Sequence, residues 1–198
     1  MMAAARVPAF PDVTIGVLAG GRASRLGGLD KAWLERGGVP QVLRWQRRFA
    51  PQTGHFLVSA NRDLARYAAH GLTAVPDRIA DAGPLSGLDA LAAAAQTPWL
   101  LTLPVDLIDV NDCLLQTLAH HAGTHGAYAQ DADGVQPLVA LWPVAALRGA
   151  AAGALASQDF AVRSLQQTLG MRCAHFAGVR FGNLNTPEDL DDAGIARH

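Results

Sequence analysis

Residues 17 to 31 read Val17-Leu18-Ala19-Gly20-Gly21-Arg22-Ala23-Ser24-Arg25-Leu26-Gly27-Gly28-Leu29-Asp30-Lys31, and they join an apolar strand to a glycine-rich, basic loop. The strand, which starts near Asp12, is β-branched and apolar, as is typical of a strand buried on both faces of a parallel sheet. The glycines let the backbone turn sharply and bring its N–H groups against a ligand. Because Arg22, Arg25 and Lys31 add positive charge, the loop is suited to bind phosphate groups.

Two common phosphate-binding motifs do not fit this loop. A P-loop requires Gly, four residues and then Gly-Lys-Ser/Thr, and the dinucleotide fingerprint requires G-x-G-x-x-G. The loop contains neither pattern. A mobile surface loop without a ligand is the alternative interpretation, but the strand in front of the loop favours a phosphate site.

Length and charge indicate the class of protein. A chain of 198 residues buries roughly 70% of its unfolded surface, which supports one substantial core. We expect a single domain over residues 12–198 after a flexible tail at 1–11. A net charge of −1 indicates neither nucleic acid nor a membrane surface as the main partner. No apolar run approaches the roughly 18 residues of a membrane span, and residues 1–11 lack a signal-peptide core, so we expect a cytoplasmic protein.

The cysteines and histidines give weaker indications. Cys113 and Cys173 lie far apart and outside any C-x-x-C spacing, so we expect buried thiols in a reducing compartment. His120, His121 and His125 surround Gly123, which allows two interpretations: a metal cluster, or a helix end where a cation favours the helix dipole. The second interpretation is preferred.

Strands and helices alternate along the chain. The pattern predicts strands over residues 12–18, 55–59, 73–75 and 99–103, and helices over 41–50, 64–69 and 84–96. This alternation implies a parallel sheet with right-handed crossovers. Further strands are predicted over 126–130 and 135–142 around a solvated hairpin turn at Asp131-Ala132-Asp133-Gly134, followed by a helix over 160–169.

Polar residues follow each of the predicted parallel strands, where ligands of such sheets bind. They are the Gly/Arg/Lys loop after the first strand, Asn61 after the second, Asp77 after the third and Asp106 after the fourth. Arg25 and Lys31 are suited to phosphates, Asn61 and Asp77 to a base or sugar, and Asp106 to Mg²⁺. Each has a structural alternative: Asn61 as a helix cap, Asp77 as a turn former and Asp106 as a loop carboxylate.

The opening loop also resembles the first signature of the molybdenum cofactor guanylyltransferases. In that signature L-A-G-G is followed by R-M-G-G-x-D-K, and this chain matches it from Leu18 to Lys31 with Leu26 in place of Met. Segments that resemble later motifs of the family follow in order, at residues 59–62, 76–77, 83–87, 104–106, 136–138 and 183–188. The first motif is shared with many sugar-phosphate nucleotidyltransferases, whereas the ordered set is much more specific.

The resemblance implies a Rossmann-like, three-layer α/β nucleotidyltransferase fold with a mostly parallel sheet. It implies transfer of GMP from GTP to molybdopterin with release of pyrophosphate, Mg²⁺ as cofactor, and contact with proteins that deliver or receive the molybdenum cofactor. The residues that it assigns to the nucleotide are Leu18, Ala19, Gly20, Gly21, Lys31, Asn61, Asp77 and Asp106. Catalytic roles fall to Arg25, Lys31 and the metal ligand Asp106, and the pterin side to Asn183 and Asn185.

Three features bear on how far the resemblance extends. Related cytidylyltransferases read L-A-A-G, so Gly20 favours the larger guanine ring. Val105 stands where the family commonly has Cys, and Leu107-Ile108 stand where it has Thr-Pro or Met-Pro, so we expect a differently shaped loop beside Asp106. The remaining alternatives are a cytidylyltransferase, a nucleotidyltransferase with another phosphorylated acceptor, and a GTP-binding accessory protein with a degenerate site.

Overall fold

A mixed seven-stranded sheet forms the centre of the protein. The computed structural model describes residues 12–20, 30–49, 51–110 and 112–195. The strands are β1 (Val13–Leu18), β2 (Glu35–Arg36), β3 (Val39–Pro40), β4 (His55–Ser59), β5 (Thr73–Val75), β6 (Trp99–Pro104), β7 (Ala127–Asp131), β8 (Gly134–Pro143) and β9 (Arg172–His175). The helices are α1 (Gln41–Phe49), α2 (Leu64–Ala69), α3 (Pro84–Ala94), α4 (Leu114–Ala122), α5 (Val144–Ala156), α6 (Val162–Leu169) and α7 (Pro187–Asp192).

The strand order in the large sheet is β5-β4-β1-β6-β8-β7-β9. The neighbours β5, β4, β1 and β6 all run parallel, β8 pairs antiparallel with both β6 and β7, and β9 is parallel to β7. The short strands β2 and β3 form a separate hairpin. The expected α/β fold with a mostly parallel sheet is therefore confirmed.

Helices cover both faces of the sheet, which gives three layers. One core cluster contains β1 side chains such as Ile15 together with α1, α2 and α4, represented by Trp45, Tyr67 and Leu118. A second cluster lies on the opposite face and contains side chains of α3, α5 and α6. Because both faces of the parallel strands are buried, these strands read as continuous apolar runs in the sequence.

Most of the predicted elements agree with the structure to within a few residues. The strands at 55–59 and 73–75 and the helix at 64–69 have the expected bounds, whereas the helix predicted over 84–96 ends at Ala94. Gly123 follows α4, so His120 and His121 lie in the last turn of a helix, as the dipole interpretation requires.

Two expectations about individual residues are wrong. Cys113 is exposed at the start of α4 and Cys173 is partly buried on β9, so the thiols are not the fully buried pair that we expected. Asp131 is buried at 6% exposure, so only Asp133, whose side chain is 40% exposed, belongs to a solvated turn. The hairpin itself is present, because β7 and β8 pair up to Asp131 and Gly134.

Candidate nucleotide and metal site

The carboxyl ends of four parallel strands meet at one edge of the sheet. Leu18, the last residue of β1, is in register with Ser59 of β4 and Pro104 of β6, and Ser59 is in register with Val75 of β5. The backbone continues this pairing beyond the strands, since Ala19 N donates to Ser59 O at 2.9 Å and Val105 N donates to Leu18 O at 3.0 Å. The residues that follow the strands are thereby brought together.

Asn61 and Asp77 form a hydrogen-bonded pair at the ends of β4 and β5. Asn61 Nδ2 donates to Asp77 Oδ2 at 2.7 Å, and the backbone N–H of Asp77 donates to Asn61 Oδ1 at 2.8 Å. Ser59 Oγ donates to the other carboxylate oxygen, Asp77 Oδ1, at 3.3 Å. These bonds fix the orientation of the Asp77 carboxylate, an acceptor that stays partly exposed to solvent.

Gly20 leaves room beside this pair. A Cβ placed on Gly20 would lie 3.5 Å from Asn61 Nδ2 and 4.0 Å from Asp77 Oδ2, at ordinary van der Waals distances. Among the residues that the structure describes, therefore, none packs so closely that a glycine is required here. The space that it leaves open faces the polar atoms of the Asn61–Asp77 pair.

Helix α3 packs against the carboxyl ends of β1 and β4. A Cβ on Gly87 would come within 2.7 Å of Ser59 Oγ and 2.8 Å of Leu18 Cδ2, so glycine is needed here for close approach of the helix. Two residues further on, Asp89 is 3% exposed and receives a two-pronged pair of hydrogen bonds from Arg78, Nε to Oδ2 at 2.9 Å and Nη2 to Oδ1 at 2.7 Å. Arg78 follows Asp77 directly, so this ion pair ties the loop that carries Asp77 to α3.

A second group of site residues surrounds Lys31. Its Nζ donates to Asp106 Oδ2 at 2.8 Å and to Asn185 Oδ1 at 2.9 Å. The Lys31 and Asp106 side chains are 18% and 22% exposed, so the ion pair is only partly shielded from water. Three sequence motifs that lie far apart in the chain thus meet at one ammonium group.

Local capping positions Lys31. The Asp30 carboxylate accepts from Ala32 N at 3.0 Å and caps the short 3₁₀ helix Lys31–Trp33. Trp33 is buried and packs against Tyr67 with ring centroids 5.0 Å apart. The first residue of this turn is therefore held between a capped N-terminus and a buried aromatic residue.

Residues 181–185 lie along the segment that follows β6. Leu184 N donates to Asp106 O at 2.8 Å, and the backbones of Leu107 and Asn183 form an antiparallel bridge. The next residue, Asn185, directly precedes Thr186, the N-cap of α7. Asp189 accepts from Asn185 N at 2.9 Å and from Thr186 N at 2.7 Å, and these bonds lower the pKa of Asp189. The structure thus brings Asn185 into contact with Lys31 and places the backbone of Asn183 beside Asp106.

Asp131 anchors this C-terminal segment from the β7–β8 turn. Its Oδ2 accepts from Phe181 N at 2.9 Å, and its Oδ1 accepts from Asp133 N at 3.0 Å and Gln136 Nε2 at 3.1 Å. Burial alone would raise the pKa of Asp131, but these bonds together lower it. Sequence reasoning missed this role, because nothing in the local pattern indicates that the carboxylate reaches a backbone N–H 50 residues away.

The segment around Asp106 is held by donors from β2 and α1. Gln41 Nε2 donates to Leu107 O, Arg36 Nη1 to Ile108 O at 3.1 Å, and Trp45 Nε1 to Val105 O at 3.3 Å. Leu107 is fully buried. The Leu107-Ile108 sequence therefore forms a fixed loop, and Asp106 remains at the site edge.

Several predicted residues fall outside the described part of the chain. Gly21, Arg22 and Arg25 lie in the stretch 21–29, so their predicted contacts with phosphate stay predictions. Next to that stretch the structure contains a small polar pocket. It is lined by Ala19, Gly20, Asp30, Ala60, Asn61, Arg62 and Tyr67.

Tyr67 and Asp30 were not expected in this pocket. Tyr67 is 1% exposed, and burial raises the pKa of its hydroxyl, so the group stays neutral at physiological pH. The capping position of Asp30, directly before Lys31, is the sequence signal that would have identified its role. The position of Tyr67 depends on how α2 packs against Trp33, which the sequence does not show.

The donor set at Asp106 fits a hard cation such as Mg²⁺. Mg²⁺ prefers oxygen ligands and uses one or two carboxylates together with phosphate oxygens and water. Asp106 provides one carboxylate, and the amide oxygen of Asn185 contacts the same Lys31 Nζ. Within residues 12–20, 30–49, 51–110 and 112–195, no group of three or more His, Cys, Asp or Glu side chains could hold a metal, and this includes the histidines around Gly123.

Comparison with protein families identifies the chain. A family model described as "MobA-like NTP transferase domain" matches residues 15–172. This chain belongs to the MobA-like NTP transferase family. The site residues from Leu18 to Asp106 lie within the matched region, whereas Asn183 and Asn185 lie beyond it.

Relatives of this MobA-like protein carry a consistent name. A protein of Pseudomonas paraeruginosa named "Molybdenum cofactor guanylyltransferase" is 38% identical over 188 residues, covering 92% of this chain and 94% of the relative. Among solved structures, the molybdopterin-guanine dinucleotide biosynthesis protein A of Archaeoglobus fulgidus superposes with a TM-score of 0.69 at 20% identity, covering 91% of this chain and 96% of that one.

The same fold serves other nucleotidyltransferases. The 2-C-methyl-D-erythritol 4-phosphate cytidylyltransferase of Thermus thermophilus superposes with a TM-score of 0.66 at 20% identity, covering 90% of this chain and 95% of that one. At this identity the likeness shows the fold alone. No helix in the described residues is long and apolar enough to cross a membrane.

Proposed function

We propose that this MobA-like protein transfers GMP from GTP to the phosphate of molybdopterin and releases pyrophosphate, which produces a guanine dinucleotide form of the molybdenum cofactor. The observation that carries the proposal is the contact of Lys31 Nζ with both Asp106 and Asn185, close to the carboxyl ends of the parallel strands. The shared name of relatives that match almost the whole chain supports the same activity.

The base is recognised, in this proposal, at the Asn61–Asp77 pair. Guanine presents N–H donors at N1 and N2, and a carboxylate is an acceptor with several lone pairs. Asp77 is held in place by Asn61 and Ser59, so it is pre-oriented for such donors. The absence of a side chain at Gly20 leaves space for the purine beside this pair.

The chemistry requires neutralisation of charge rather than a nucleophilic side chain. The molybdopterin phosphate attacks the α-phosphorus of GTP, a new P–O bond forms, and the bond to pyrophosphate breaks. Both reactants are anionic, so positioning and electrostatic stabilisation supply most of the rate acceleration. Lys31 neutralises the triphosphate, and Arg25 is assigned the same role.

Asp106 would hold Mg²⁺, with Asn185 beside it. The bound cation would screen the phosphate oxygens and favour departure of pyrophosphate. Asn183 and Asn185 border the side of the site where the pterin substrate would enter. Asp131 supports this side indirectly, because it holds the segment that leads to Asn183. A cytoplasmic location, and contact with proteins that deliver or receive the cofactor, belong to the same proposal.

The activity is tested by molybdopterin-dependent release of pyrophosphate from GTP and Mg²⁺. We expect release with the wild-type chain and a loss of roughly 100- to 1000-fold for Asp106→Ala, the usual effect of removing one charge-stabilising group. Asp112→Ala, which removes an exposed carboxylate further along the chain, is the matched control and should retain activity. No release from GTP by a folded protein that binds GTP would indicate the degenerate accessory protein instead.

A further inference from the structure

The chain contains a single lysine, Lys31, among its 16 basic residues; the other 15 are arginines. An ammonium group is a compact point charge, whereas a guanidinium is a wide planar fork. At this one position, therefore, the cation has the shape that most resembles a metal ion. The oxygen atoms around Lys31 Nζ indicate which kind of cation fits there.

Both described acceptors of Lys31 Nζ are side-chain oxygens of the kind that bind hard cations. Asp106 Oδ2 lies at 2.8 Å and Asn185 Oδ1 at 2.9 Å, and they approach from segments separated by almost 80 residues. A carboxylate and an amide oxygen are typical ligands of Mg²⁺ and Ca²⁺. The ammonium thus contacts two oxygen atoms that are suited to a divalent cation.

Asn185 is held in place independently of Lys31. Its backbone N–H is bonded to Asp189 Oδ2 at 2.9 Å, in the cap of α7, and Leu184 N is bonded to Asp106 O at 2.8 Å. The backbone segments that carry the two oxygens are therefore held together by contacts that do not involve the lysine side chain. Removal of the ammonium would leave both segments in place for another cation.

We infer that Asp106 Oδ2 and Asn185 Oδ1 form a divalent-cation site that the ammonium of Lys31 fills until a nucleoside triphosphate draws the lysine away. A triphosphate carries several negative charges and offers Lys31 more acceptors than the two oxygens do. When Lys31 turns to the phosphates, both oxygens become available to a divalent cation. Metal and nucleotide then bind as a unit, and the affinity for each rises when the other is present.

The inference rests on the proposed function only for the identity of the nucleotide. It adds Asn185 as a ligand of the cation and gives Lys31 a second role, as an internal cation of the empty site. It also accounts for a lone lysine in a chain that otherwise uses arginine, because a guanidinium is too wide to stand in for a metal ion.

The first test measures Mn²⁺ binding to the full chain without nucleotide, by electron paramagnetic resonance. We expect Lys31→Met to bind Mn²⁺ about 10-fold or more tightly than wild type, since the metal no longer competes with the two charge-assisted hydrogen bonds of the ammonium. Lys31→Gln serves as a second, polar variant. Arg163→Met, which removes an exposed charge on α6, is the charge-matched control and should behave as wild type. Equal affinities for Lys31→Met, Lys31→Gln and wild type would overturn the inference.

The role of Asn185 is tested in the Lys31→Met background. Asn185→Leu has a similar size but no oxygen, and the backbone bond to Asp189 is retained. It should cancel most of the gain in Mn²⁺ affinity. A gain that survives Asn185→Leu would assign the metal to Asp106 alone and would overturn the two-oxygen site.

The second test follows the lysine itself. Protein grown with ¹³Cε-labelled lysine has a single lysine signal in its NMR spectrum, because the chain contains one lysine. The signal should move when a non-hydrolysable GTP analogue is added and should not move with millimolar Mg²⁺ alone. Displacement by Mg²⁺ alone would overturn the exchange. If Lys31→Met gains Mn²⁺ affinity but the wild-type chain binds no GTP analogue, the cation site stands and the proposed substrate fails.

Discussion

Replacement of Asp131 by Asn should lower the free energy of unfolding by about 3 kcal/mol, because the amide removes the hydrogen bond to Phe181 and buries a surplus donor. In the folded protein Oδ2 accepts from Phe181 N at 2.9 Å, at a side chain that is 6% exposed. An Asn side chain satisfies Asp133 N and Gln136 through its one oxygen but turns its NH₂ toward the Phe181 N–H. For a chain of this size the loss corresponds to a fall in Tm of about 6–12 °C.

The same substitution should change the dependence of stability on pH. The pKa of Asp131 is lowered from its ordinary value of 3.8 by the hydrogen bonds that it accepts. A carboxyl with a lowered pKa in the folded state stabilises the fold above its unfolded pKa and loses that effect as the pH falls through the folded pKa. The difference in unfolding free energy between wild type and Asp131→Asn should therefore be full at pH 7 and shrink below about pH 4.

Urea unfolding followed by tryptophan fluorescence at pH 7 and at acidic pH measures both effects. Asp133→Asn is the matched control, since its 40% exposed side chain lies two residues away and pairs only at the surface with Arg180. It should change stability by less than about 0.5 kcal/mol. The reasoning is refuted if Asp131→Asn is as stable as Asp133→Asn at pH 7, or if its deficit persists undiminished in acid.

Three further substitutions test the nucleotide half of the site. Gly87→Ala should destabilise the protein by about 1–3 kcal/mol, because its Cβ would lie 2.7 Å from Ser59 Oγ; thermal unfolding measures this, and an unchanged Tm contradicts the packing. Gly20→Ala, whose Cβ would meet no atom of the described residues closer than 3.5 Å, should keep the Tm but lose about 10-fold or more in kcat/KM for GTP; an unchanged kcat/KM would show that the base lies elsewhere. Arg78→Gln should raise KM for GTP about tenfold with a smaller change in kcat, because Asp77 loses the anchor at Asp89; Arg163→Gln is the control, and equal KM values would show that the ion pair does not position Asp77.

The strands of the parallel half were predictable from sequence because each is a short apolar run bounded by turn residues. The same pattern placed Asn61, Asp77 and Asp106 at one edge, since parallel strands share the direction of their carboxyl ends. The hairpin of β2 and β3 was missed because each strand has two residues, and β9 was missed because its exposed positions carry Arg172 and His175. Helix α5 was also missed, although its alanine content is typical of helices.

The half of the site near Lys31 was less predictable, for a physical reason. Asn185 reaches Lys31 because residues 181–185 pair with the segment after Asp106, and Asp131 secures that pairing. These are non-local contacts between irregular segments, for which sequence periodicity gives no signal. The expectation that Asp131 is solvated failed for the same reason: a carboxylate in a turn sequence looks exposed until its distant partner is known.

Transfer of GMP at this site is tested most directly by the ratio of kcat/KM for GTP to that for CTP, with molybdopterin as acceptor and the dinucleotide product identified by mass spectrometry. We expect a ratio well above tenfold in favour of GTP, and a guanine-containing product. A ratio at or below one, with a cytosine-containing product, would contradict the assignment of the Gly20, Asn61 and Asp77 region as a guanine site.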